Sequence, residues 1–146
     1  MLISRVTLAQ VARYLGAFAL LGVGIDHLEQ YYADFYSAIP TIGTLFVLNF
    51  ATAAVVGLGL LVPVERFAGR RSQAVLALFA LGGIGVAAGS LAGLLVSENG
   101  GLFGFMEQGY REAIVISIVL EAATIALLAL FVAANGFGIR PRQRLY

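Results

Sequence analysis

The sequence predicts an all-α membrane protein, a bundle of four transmembrane helices with both termini on the cytoplasmic side. Three observations predict it. Apolar runs of about 20 residues recur along the chain, and a run of ~20 residues crosses a ~30 Å hydrocarbon core. The 146 residues are 60% hydrophobic and only 12% charged, with a mean hydropathy of +0.94. A soluble domain carries about twice that charge. Finally, the basic residues are all arginines and they are sided. With four alternating spans, Arg5, Arg13, Arg66, Arg70, Arg71, Arg140, Arg142 and Arg144 share one side, and only Arg111 falls on the other. The positive-inside rule makes the arginine side cytoplasmic and the protein a multi-pass resident of the plasma membrane. The opposite face collects Asp26, Glu29, Asp34, Glu98, Glu107 and Glu112.

Composition also excludes. The chain has no cysteine, which removes disulfides, thiol chemistry and cysteine metal clusters. A net charge of +1 gives a nucleic-acid role no support. The length suits one integral membrane domain covering residues 1–146.

The first span is expected over about 7–26. Its early turns are mixed, and Arg13 is read as snorkelling toward the head groups. A signal peptide is disfavoured because no small-x-small cleavage site follows the apolar core. Residues 27–40 form the first connection. There Tyr31, Tyr32, Phe35 and Tyr36 among Glu29 and Asp34 suit a short helix lying in the interface. Pro40 opens the second span, about 41–62, and Pro63 closes it. An arginine-bearing turn leads to the third span, about 73–96, which carries Gly85, Gly89 and Gly93 four residues apart. Such a stripe predicts a helix face packed closely against a neighbour. A glycine-rich, acidic connection then leads to the fourth span, about 113–134, in which Ser117, Glu121 and Thr124 share one face.

Glu121 is the residue of greatest interest. A carboxyl about nine residues into a lipid-length helix lies ~13 Å from the end of the span. It must face protein or water. Asn49 in span two and Ser90 in span three fall within roughly a turn of the same depth at 1.5 Å per residue. The expectation is one polar pocket in the outer half of the bilayer, built from Glu121, Asn49, Ser90, Ser117 and Thr124. It serves a ligand, a proton or a cation. The purely structural alternative is a protonated Glu121 acting as interhelical glue. A second group, Asp26, His27, Glu29, Tyr31 and Asp34, is expected as a polar cluster on the outer face. The alternatives there are a metal or proton site, or a solvated or hydrogen-bonded histidine. The four aromatics permit a cover for a lipid-soluble ligand or an ordinary interfacial belt. No metal set, catalytic residue or particular cofactor is indicated.

Arg13 and Gly16, the outer-end His27, Ile39-Pro40 and the closing Gly57-Leu58-Gly59-Leu60-Leu61-Val62-Pro63 resemble the DoxX-like family of small four-helix membrane proteins. The likeness covers about the first half of the chain. It departs at Asn49, near which that family often has a glutamate. The resemblance implies the four-helix fold and an association with membrane redox systems as an accessory subunit.

Three functions are therefore expected to compete. The first is a non-catalytic accessory or oligomer-forming subunit, packing on itself or in a larger membrane complex among membrane lipids. The second is a small homo-oligomeric transporter or channel using Glu121. The third is a membrane redox protein acting on a lipid-soluble substrate, for which the sequence shows no nucleophile–base signature.

Overall fold

The computed structural model describes residues 2–135, with residues 2–7 described as backbone only. Arg140, Arg142 and Arg144, and the side chain of Arg5, lie outside what is described. Four long helices make the fold: α1 (Leu2–Ala33), α2 (Pro40–Leu61), α3 (Ser72–Asn99) and α4 (Glu112–Asn135). Four helical stretches are long and apolar enough to cross a membrane, Leu8–Ala33, Pro40–Leu61, Glu65–Asn99 and Glu112–Asn135. Large apolar side chains such as Phe18, Ile25, Val55, Leu78 and Val119 point outward, as a lipid-facing surface requires.

The helices run up, down, up and down. α1 packs against α2 and α4, and α3 packs against the same two from the opposite side. The ends of the elements follow from their residues. Ile39 is held extended (φ −106°, ψ 100°) before Pro40, and Val62 is extended before Pro63, as the residue preceding a proline prefers. A one-turn helix (Glu65–Ala68) and a 3-10 turn (Gly69–Arg71) join α2 to α3. Between α3 and α4, Leu102 and Phe105 exchange backbone hydrogen bonds of 2.7 and 2.9 Å, closing a small turn over the end of the bundle.

The first span is longer than its apolar core suggested. α1 runs unbroken through residues 27–33, which the sequence reading assigned to a connection, and one 3-10 turn (Tyr36–Ala38) follows. A cluster of charge ended the span on paper. In the structure Asp26, His27 and Gln30 turn toward the bundle and are bonded there, so the helix has no reason to stop.

Close helix packing within the chain is made by other small residues. A Cβ at Gly16 of α1 would sit 2.5 Å from Leu128 Cδ2, and one at Gly24 would sit 3.0 Å from Ala53 Cβ. Small residues on α1 thus let α4 and α2 approach. α2 and α3 approach each other around Gly59, where a Cβ would meet Phe79 at 2.5 Å. A Cβ at Gly83 would sit 2.6 Å from Leu128 Cδ1 and 2.9 Å from Leu20 Cδ2. The stripe of Gly85, Gly89 and Gly93 does not pack against a helix of the chain. Nothing lies within 4 Å of a Cβ built at Gly85 or Gly89, and at Gly93 only Leu102 Cδ2 does, at 3.6 Å. α2 and α3 are in contact over one half of their length and diverge over the other.

Arg13 is also corrected. Its side chain does not reach outward but is buried, 3% exposed. Its Nε donates to Leu60 O (2.6 Å), its Nη2 to Val62 O (2.6 Å), and its Nη1 pairs with Glu65 Oε1 (2.6 Å). Helix ends leave carbonyls without intrahelical partners, and a guanidinium fork suits them better than the polar head groups would. Arg13→Ala is expected to destabilise the protein in mild detergent by about 1–3 kcal/mol, because it strips the buried Leu60 O of its guanidinium donor while Val62 O keeps Val64 N–H. Glu65, whose side chain is 48% exposed, should cost under ~1 kcal/mol when changed to Gln. Equal losses in denaturation of the two variants would show that the ion pair, and not the capped helix end, is what Arg13 supplies.

Candidate functional site

Where α2 and α3 diverge, they leave a cavity of about 360 Å³. Ligand pockets begin at around 300 Å³. Its inner walls come from α1 and α4, through the buried residues His27, Gln30, Ile114, Ser117 and Glu121. Its outer walls come from Leu45, Leu48 and Thr52 of α2 and Gly85 and Gly89 of α3, all exposed. The cavity therefore opens sideways, between α2 and α3. Side chains on the glycine stripe would fill that opening.

The polar groups inside are ordered by hydrogen bonding. His27 Nδ1 lies 2.9 Å from Val23 O, a group that only accepts, so the ring proton sits on Nδ1. Nε2 then accepts from the Ser90 hydroxyl at 2.8 Å when the ring is neutral. Glu121 Oε1 stands 3.9 Å from the same Nε2, beyond hydrogen-bonding distance. Glu121 is 1% exposed, and its Oε2 has no protein partner. One turn farther along, Gln30 Nε2 donates to Asp26 Oδ2 and to Ser117 Oγ, each at 2.8 Å, and Ser117 donates to Asp26. Asp26 also lines a second, shallow cleft between α1 and α4, with Glu29, Asp34, Arg111 and Glu112. A hydrogen-bonded step thus joins that acidic cleft to the cavity.

Over the end of the cavity lies a cap. Tyr36 is buried and stacks on Phe46 with ring centroids 4.5 Å apart, and Phe105 meets it edge-on at 5.6 Å. Its hydroxyl donates to Glu107 and accepts from Arg111 Nη2 (2.8 Å). Arg111 in turn pairs with Asp34 at 3.0 Å. The lone arginine on the acidic side is a latch that ties the α1–α2 turn to the α3–α4 loop.

Measured against the expected sites, Glu121, Asn49, Ser90 and Ser117 all line one cavity. Thr124 does not. It is fully buried and its hydroxyl donates to Leu120 O at 2.8 Å. The cluster of Asp26, His27, Glu29, Tyr31 and Asp34 divides. His27 faces the cavity, Asp26 bridges cavity and cleft, Asp34 joins the latch, and Glu29 is exposed. Tyr31 packs edge-on against Tyr32 at 4.9 Å. Of the four aromatics read together, Tyr32 and Phe35 are exposed and Tyr36 belongs to the cap. The sequence reading missed Gln30, Phe46 and Glu107 as parts of the site, and it named Tyr36 only within the group of four aromatics. Gln30 stands four residues after Asp26, a signal visible once the helix is allowed to continue.

The chemistry available is binding and proton exchange. Ser90 and His27 are spaced as nucleophile and base, a pairing the sequence alone did not show. Ser90 sits in the middle of α3, however, where backbone N–H groups are committed to the helix and none is free for an oxyanion. Among the described residues no group of three or more His, Asp or Glu side chains is placed to hold a metal ion. The chain matches no family model, and no curated protein or solved structure matches it either.

Burial, followed by the bond to Glu107, pushes the Tyr36 phenol above its ordinary ionisation. A raised folded value favours the neutral phenol. Its contribution to stability is therefore complete below the unfolded pKa of about 10 and is lost as pH rises through the folded one. Absorbance titration of the wild type against Tyr36→Phe should assign to Tyr36 a phenolate that forms later than that of free tyrosine. Ionisation at or below the ordinary value would contradict the buried, Glu107-bonded phenol.

Proposed function

We propose that this chain is a multi-pass protein of the plasma membrane, both termini cytoplasmic, that binds an amphipathic small molecule taken from the bilayer. The observation that carries the reading is the cavity's form. It opens through the side of the bundle between Gly85 and Gly89 on one helix and Leu45, Leu48 and Thr52 on the other. Its far end holds Glu121, Gln30 and His27. An apolar body can rest in the helix gap while a polar head reaches the inner wall. On this reading the acidic end of the bundle is the outer one, and the cavity lies in the outer half of the bilayer. The protein is a binding or accessory subunit, as the DoxX-like resemblance of its first half implies, and its glycine stripe serves the opening. A second copy seated on that stripe would close it.

Filling the opening tests this. Gly85→Leu with Gly89→Leu adds bulk where the chain leaves room. The double variant should bind a fluorescent long-chain alcohol at least about tenfold more weakly than the wild type, with unchanged oligomeric state. Unaltered binding, or dissociation of an oligomer by the leucines, would return the stripe to a packing role.

A second reading has its own support. The link from the acidic cleft through Asp26, Ser117 and Gln30 to the cavity of Glu121 offers protons or small cations a way in. This is the arrangement a coupled transporter uses, with the carboxyl as the coupling group. Reconstituted protein should then acidify or alkalinise vesicles in a manner that Glu121→Gln abolishes. Flux indifferent to that change would leave only the binding role.

A further inference from the structure

We infer that the head of the molecule held in the cavity is cationic: an organic ammonium on an apolar body, with Glu121 as its counter-charge. The inference rests on the binding role proposed above and adds the charge of what is bound. It comes from what the walls lack. Gln30 Oε1, Asn49 Oδ1 and Glu121 Oε2 reach the cavity from three different helices, and none has a protein partner. The two amide oxygens only accept, and Glu121 Oε2 accepts when its carboxyl is ionised. The Gln30 assignment is fixed by its neighbours, because its Nε2 donates to Asp26 and Ser117 and so leaves the oxygen over.

Most donors of the inner wall are already spent, while Asn49 Nδ2 and Thr52 Oγ1 line the cavity without a bond among the described residues. His27 Nδ1 serves Val23 O, the Tyr36 hydroxyl serves Glu107, and the Ser117 hydroxyl serves Asp26. Whatever occupies the cavity must therefore bring donors of its own. A single hydroxyl brings one and an ammonium brings up to three.

Charge decides between them. The titratable groups on the cavity wall are His27, Tyr36, Glu107 and Glu121. Glu107 is engaged by Tyr36 and lies 3.6 Å from Arg111. Glu121 has no such cation. Arg13 is bound at the other end of α1 and Arg111 is held in the latch. His27 is the one base within reach, and its Nε2 faces Ser90 at 2.8 Å and Glu121 only at 3.9 Å, beyond hydrogen-bonding distance. A carboxylate removed from water without a counter-charge is costly, and an entering ammonium removes that cost.

The test compares two probes with one tail, a long-chain primary amine and the corresponding alcohol, on the full chain in nanodiscs of zwitterionic lipid. The amine should bind at least about tenfold more tightly than the alcohol, and Glu121→Gln should remove that preference. Folding of the variant is read independently, from a circular-dichroism spectrum and thermal unfolding like those of the wild type. Equal binding of amine and alcohol to the wild type would overturn the charge inference and leave the cavity's binding role standing. Failure of both probes to bind would overturn the binding role, and the charge inference with it. A preference for the amine that survives Glu121→Gln would also refute it, since lipid surface or another acid would then be the source.

Discussion

Lipid offers no hydrogen-bond partner, and that constraint determines how α1 sits in the bundle. Polar side chains near both ends of this helix must be satisfied by protein. Near its start, Arg13 turns in and takes the terminal carbonyls of α2. Near its end, Asp26, His27 and Gln30 turn in and meet Ser117 and Ser90. Between them, Ala17, Leu20 and Val23 are fully buried. Once both sets of polar groups face the bundle, the intervening apolar residues are fixed on the packed side. Phe18 and Ile25 are left on the outside.

The same helix explains where the bundle is tight and where it is open. Gly16 and Gly24 of α1 bring α4 and α2 close, and Gly83 and Gly59 bring α3 onto α4 and α2 over one half of the bundle. In the other half the neighbours of α3 are the bulky polar and aromatic groups of His27, Phe46 and Tyr36. These groups need bonded partners and ring contacts, and they hold the helices apart. The glycines of α3 that face this half then present open space instead of contact. Identical residues in one helix thus do opposite work, according to what stands across from them.

Much of the fold was legible because hydropathy reports lipid-length helices directly. The boundaries of α2, α3 and α4 fall within a few residues of the expected ones, since Pro40, Pro63 and the glycine-rich connection are strong punctuation. The end of α1 was not legible. A charge cluster reads the same on paper whether it meets water or a neighbouring helix, and only the partners on α3 and α4 decide. Depth counting brought Asn49, Ser90 and Glu121 to one level because rise per residue is fixed. It gave no azimuth, so it included Thr124, which bonds to its own helix, and it left out Gln30. The glycine stripe named a face but no partner, and no helix of the chain takes it. Small residues permit close approach but do not require it.

Arg111 shows how far sidedness and structure can be reconciled. As the single basic residue among six acids it is an exception to the charge pattern. As the partner of Asp34, Tyr36 and Glu107 it is the group that lets those acids lie together over the cavity's end. A lysine there would offer one compact charge, whereas the guanidinium reaches Asp34 with one nitrogen and Tyr36 with another. The cap it closes is made of side chains from the α1–α2 turn and the α3–α4 loop, the two connections at that end. Traffic through the cap must therefore break an ion pair and separate two connections. The gap between α2 and α3 has nothing to break. On the proposed reading, a molecule dissolved in the bilayer meets the open side first, and the cavity serves the lipid phase more than the water beyond the cap.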